Sequence, residues 1–97
     1  MSKTIYKYPI EVVDEQDIKI PQGAMFLSIQ EQDDKIVLYY VVDPDEKETD
    51  SHHIVIVGTG HPMDNVGKGI FLGTVKMAGG KLMWHVFIRV PQIISAN

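Results

Sequence analysis

The 97 residues include no cysteine. That excludes a disulfide framework and any zinc or iron–sulfur centre held by thiolates. Long apolar runs are also lacking: none approaches the ~18 residues that a membrane helix needs, and no signal-peptide core opens the chain. Neither sign of charge forms a field over the chain. Nine Lys or Arg stand against thirteen Asp or Glu, and the segment Asp43–Ser51, with five acids and one lysine, carries the whole net charge of −4. The rest of the chain is balanced, with no basic stripe for a nucleic-acid backbone. The expected protein is soluble and intracellular, and binds neither a membrane nor a nucleic-acid backbone.

What is present suits one domain over 1–97, with residues 1–2 and 91–97 as tails that are flexible or touch another subunit. Surface scaling for 10.9 kDa gives burial of about 65% of the unfolded chain's surface, a modest core. No window holds the i, i+3, i+4, i+7 pattern over a helix's length, so at most one helical turn is expected, near Pro62–Val66. Alternating and β-branched runs fill the rest: Lys3–Tyr8 ending at Pro9, Asp17–Ile20, Ala24–Gln30, Lys35–Asp43, His52–Val57, Ile70–Lys76 and Lys81–Val90. Glu31–Asp34 reads as a four-residue hairpin loop, and Met77–Gly80 as a second, glycine-containing one. The pattern predicts an all-β fold of about seven short antiparallel strands in a small sandwich or barrel.

The faces follow from the period of two. In the last strand Leu82, Trp84, Val86, Ile88 and Val90 form an apolar row, whereas Met83, His85, Phe87 and Arg89 form a mixed one. Ile36–Val42 is apolar on both sides, which predicts a central strand covered twice. The second cover is expected from the C-terminal segment or another subunit, giving a homo-oligomer joined through the Tyr39 side or through Met83 and Phe87.

Val57-Gly58-Thr59-Gly60-His61-Pro62-Met63-Asp64-Asn65 is the segment with most chemistry. Two glycines permit a tight bend and close approach of a ligand, and successive N–H groups can form an anion nest. Thr59 adds a hydroxyl and His61 a switchable donor. The expected ligand site comprises Gly58, Thr59, Gly60, His61 and Asn65, with Tyr6 and Tyr8 as stacking residues and His85 as a contact. A plain strand-end turn explains the glycines equally well. The segment is not a dinucleotide fingerprint, because the third glycine and the following helix are absent.

Other constellations carry less. His52 and His53 are adjacent and must point to opposite faces, so they cannot share a metal, and no metal or cofactor is expected. The acidic segment departs from a calcium loop because Glu48 stands at the sixth position from Asp43, where glycine is required. It reads as a solvated loop. No catalytic residues are assigned: Gly-x-Ser-x-Gly and cysteine are missing, and His61 with Asp64 is only a local pairing.

The blocks Lys3–Glu11, Ile20–Ala24, Val57–Pro62, Phe71–Val75 and Trp84–Phe87 resemble, in this order, a family of small uncharacterised proteins of phages, prophages and bacteria. The resemblance spans Lys3 to Val90. It implies a small protein of viral origin in the cytoplasm of a bacterial host, and supplies no activity. With the Gly58–His61 turn, the aromatics and the missing catalytic set, the expected function is that of a non-catalytic phage accessory protein that evades host defence by sequestering a small anionic nucleotide-like signalling molecule. The alternative it leaves is a protein inhibitor of a host defence or nucleic-acid enzyme, acting through a sheet face and the acidic loop 43–51. A small phosphohydrolase built on His61 and Asp64 is the third reading.

Overall fold

The computed structural model describes residues 2–89. Val90 and the tail 91–97, to which the sequence assigns a strand end and a covering role, lie outside the described residues. Seven strands run in the order β1 (Thr4–Ile10), β2 (Glu15–Pro21), β3 (Met25–Gln32), β4 (Lys35–Val42), β5 (Thr49–Gly58), β6 (Ile70–Met77) and β7 (Leu82–Arg89). They form two antiparallel sheets, β1-β4-β3 and β2-β5-β7-β6. The Cα extents of 42 × 34 × 15 Å are those of two flat layers, so the all-β expectation resolves to a sandwich.

The core faces follow the alternation. Ile36, Leu38, Tyr40 and Val42 of β4 meet Ile54 and Ile56 of β5, Val86 and Ile88 of β7, and Val75 of β6. Tyr40 is the largest fully buried side chain and joins the layers. Tyr8, Phe26 and His52 pack edge-on around its ring at centroid distances of 5.7, 5.8 and 5.5 Å. Its hydroxyl lies 3.1 Å from His52 Nδ1. Burial holds His52 below its usual pKa, against the pull of Asp50, and pushes the Tyr40 phenol up to about 12. The neutral phenol therefore donates and His52 Nδ1 accepts, which leaves the ring proton on Nε2.

Several local readings need correction. β1 does not stop at Pro9; it runs to Ile10, with Pro9 opposite Val37. It is an edge strand, and an edge tolerates a residue that cannot donate on both sides. The β3–β4 connection is a two-residue turn, not four: Asp33 and Asp34 take φ of 52° and 66°, the mirror-image turn that matches strand twist. Pro62–Val66 forms no helical turn, and among the described residues the one 3₁₀ turn is Ala78–Gly80 in the β6–β7 hairpin. Thr49, Asp50 and Ser51 belong to β5, so the acidic loop shortens to 43–48. That loop folds on its own carboxylates, with Asp43 Oδ1 accepting from the Asp45 N–H and Glu46 Oε2 from the Glu48 N–H.

The doubly covered strand is chiefly β5. Val55 and Val57 are buried on the face away from the core, beneath Val66 and beside Phe87. The second cover comes from the chain's own segment 59–69. On β4 the outward face is covered less: Val37 is buried, Tyr39 and Val41 are half-buried, and Ile5 and Met25 flanking Val41 are exposed.

Candidate functional site

Segment 59–69 leaves β5 and crosses the outer face of the four-stranded sheet. It begins with a turn closed by the His61 N–H on the Gly58 carbonyl at 3.0 Å, with Gly60 at φ +89° in the position that demands a left-handed residue. Gly58 has a different reason to be glycine. A Cβ there would lie 3.1 Å from Trp84 Cζ3 and 3.2 Å from His61 Nδ1. The two rings lie against bare backbone at the end of β5. The expected anion nest is reduced, because the His61 N–H is already spent on the turn.

Open space surrounds this bend. An outer-face cavity of about 320 Å³ is lined by Val57, Gly58, Thr59, Gly60, His61, Met63, Phe71, His85 and Phe87. Its floor is aromatic: Phe71 and Phe87 are cross-strand neighbours with centroids 5.4 Å apart and rings tilted by 53°. A second cavity of about 330 Å³ shares Gly58, Thr59 and His61 and adds Lys81, Leu82, Met83 and Trp84. A third, of about 370 Å³, holds His61, Asn65 and the carboxylates Asp14 and Asp64. A fourth of about 130 Å³ lies between Trp84 and Val12–Asp14, again with Gly58 and His61. His61 borders all four.

Of the eight residues expected from sequence, Gly58, Thr59, Gly60, His61 and His85 come together around the outer-face cavity. His85 is fixed at both ring nitrogens, by Thr59 Oγ1 at 2.8 Å from Nε2 and Thr74 Oγ1 at 2.9 Å from Nδ1. Asn65 falls in the third cavity beside two carboxylates, which repel an anion, so it does not belong to the same seat. Tyr6 and Tyr8 are misplaced: they sit on β1 in the other sheet, and line none of the four cavities. Tyr8 packs on Tyr40. Among the described residues no hydrogen bond joins His61 to Asp64, and no group of three His, Asp or Glu is placed to hold a metal ion. Phe71, Met63, Lys81 and Thr74 were not assigned to the site by sequence reading, and Phe87 was assigned to a subunit interface instead. The hairpin register that sets Thr74 opposite His85 was the signal available for Thr74, whereas Phe71 comes opposite Phe87 only through the register shift at Leu72.

His52 and His53 do point to opposite faces. His53 donates through Nδ1 to Asp17 Oδ1 at 2.7 Å and through Nε2 to Glu15 Oε1 at 2.6 Å, and Arg89 reaches the same Glu15 oxygen at 3.1 Å. A ring that donates at both nitrogens is cationic, and the bonds to Asp17 and then Glu15 raise the His53 pKa above its usual value. A raised folded-state pKa contributes stability that is fully present below pH ~6.5 and is lost as pH rises through the folded value. His53→Gln should therefore lower the melting temperature more at pH 6 than at pH 8.5. Equal losses at the two pH values would contradict this reading.

The fold and site define an all-β sandwich domain with a glycine-turn cavity at one end of its larger sheet. The chain belongs to the family described as Domain of unknown function (DUF7352), which it matches over residues 1–96. No curated protein and no solved structure matches it.

Proposed function

We propose that the protein is a non-catalytic binding domain for a small nucleotide-like anion, seated at the Gly58–His61 turn. One observation carries the reading. Two cavities of about 320 and 330 Å³ share Gly58, Thr59 and His61; one has an aromatic floor and the other is lined in part by Lys81. A planar base suits Phe71, Phe87 and Met63, and its phosphate suits Lys81 and the Thr59 hydroxyl. The resemblance to small phage and prophage proteins supports a setting in host-defence evasion, where such a domain sequesters a nucleotide signal in the host cytoplasm. Release of the ligand chemically intact after denaturation is the outcome this reading requires.

The inhibitor reading through loop 43–48 has less in its favour, since two of its carboxylates are occupied by the loop's own N–H groups. Titration calorimetry with nucleoside monophosphates, cyclic nucleotides and ADP-ribose is the test. Phe71→Ala should weaken binding roughly tenfold, the worth of one base stacked on an aromatic ring. Lys81→Ala should weaken it less and flatten its salt dependence. Both side chains are exposed, so neither change should unfold the domain. Absence of heat with every probe, or unaltered binding by Phe71→Ala, would remove the proposal.

A further inference from the structure

Thr59, His85 and Thr74 form a chain of polar side chains that runs from the turn after β5 across β7 to β6. Thr59 and His85 line the aromatic cavity; Thr74 lines none of the four cavities and bonds only behind the ring, to Nδ1. A neutral imidazole has one donor and one acceptor nitrogen, whereas a hydroxyl serves as either. Two arrangements therefore satisfy the chain equally. With the proton on Nδ1, the ring donates to Thr74 and accepts from Thr59, whose oxygen then offers the cavity only lone pairs. With the proton on Nε2, the ring donates to Thr59 and accepts from Thr74. The Thr59 hydroxyl hydrogen is then free to donate into the cavity.

We infer that the His85 tautomer sets the polarity of the Thr59 hydroxyl, so that one cavity takes bases with either a donor or an acceptor edge. Thr74 is then a positioning residue for specificity, acting through His85 without touching the ligand. The switch gains and loses no proton: one moves from Nδ1 to Nε2, through solvent, while both hydroxyls rotate. The inference rests on the nucleotide reading and adds a specificity rule to it. Adenine and hypoxanthine are the suitable probes, since one bears an amine donor where the other bears a carbonyl acceptor.

Thr74→Val tests it. Valine suits an exposed strand position, so the fold should persist. Nδ1 loses its partner, and an orphaned N–H is tolerated less well than a bare acceptor, so the proton should settle on Nε2. Nitrogen NMR of His85 at pH ~8, above the range where histidine ordinarily titrates, should show averaged ring shifts in the wild type and an Nε2–H pattern in T74V. AMP and IMP should bind the wild type within about twofold of each other. In T74V the preference for IMP should rise to roughly fivefold, the worth of one hydrogen bond. Thr74→Ser should restore both results. Ring shifts or an IMP-to-AMP ratio unmoved by T74V, or T74S behaving as T74V, would overturn the relay. If neither AMP nor IMP binds any of the three proteins, the relay is overturned; if cyclic nucleotides and ADP-ribose give no heat either, the nucleotide reading falls with it. Binding of AMP and IMP by T74V without discrimination fails the relay alone.

Discussion

Tyr40→Ala should destabilise the domain by roughly 3–5 kcal/mol, the usual cost of truncating a buried aromatic side chain. Tyr40 is 1% exposed and three rings pack against it, so the space it leaves has stiff walls. Domains of this size are stable by only about 5–15 kcal/mol, so the variant should be largely unfolded at modest denaturant. Tyr40→Phe separates packing from polarity. It keeps the ring but strips His52 Nδ1 of its donor, and should cost about 1–3 kcal/mol. Urea titration of the two variants checks both figures. A Tyr40→Phe variant as stable as the parent would show that the Tyr40–His52 bond across the layers contributes nothing.

Gly73→Ala should cost roughly 2–4 kcal/mol, from overpacking together with backbone strain. An added Cβ would stand 2.5 Å from Ile29 Cγ2, where β3 of one sheet packs on β6 of the other. Ile29 cannot easily move that methyl, because it branches from Cβ and its χ1 is stiff. Gly73 also has φ of +156° beside a break in the β6–β7 register, facing a matching irregularity between Phe26 and Ser28 in β3. Pairing the change with Ile29→Ala removes the offending methyl. The double-variant cycle should return a coupling of about 1 kcal/mol or more, whereas additivity would place the whole effect in the backbone.

Much of this architecture is legible in alternation alone. Seven strands, the core row Trp84–Val86–Ile88 and the opposed directions of His52 and His53 all follow from a period of two, which is local. What sequence reading missed depends on which strands become neighbours. Tyr6 and Tyr8 looked available to the glycine turn, but β1 pairs with β4 and carries them into the other sheet. The double apolar pattern of β4 suggested cover by the C-terminal segment or another subunit, while the chain covers β5 by laying Val66 over Val55 and Val57. Phe71, Phe87 and Lys81 join Gly58–His61 only because that same segment folds back over the sheet. The register shifts at Leu27 and Leu72 leave no trace in composition, since a bulge needs one extra residue and not a particular one.

Amide NMR mapping during titration with AMP is the most direct test of the seat at the glycine turn. Saturable shifts should concentrate at Gly58–His61, Met63, Phe71, Lys81, His85 and Phe87, with the β1-β4-β3 sheet unmoved. Spectra unchanged to millimolar nucleotide, or shifts centred on β1 and β4 instead, would contradict it.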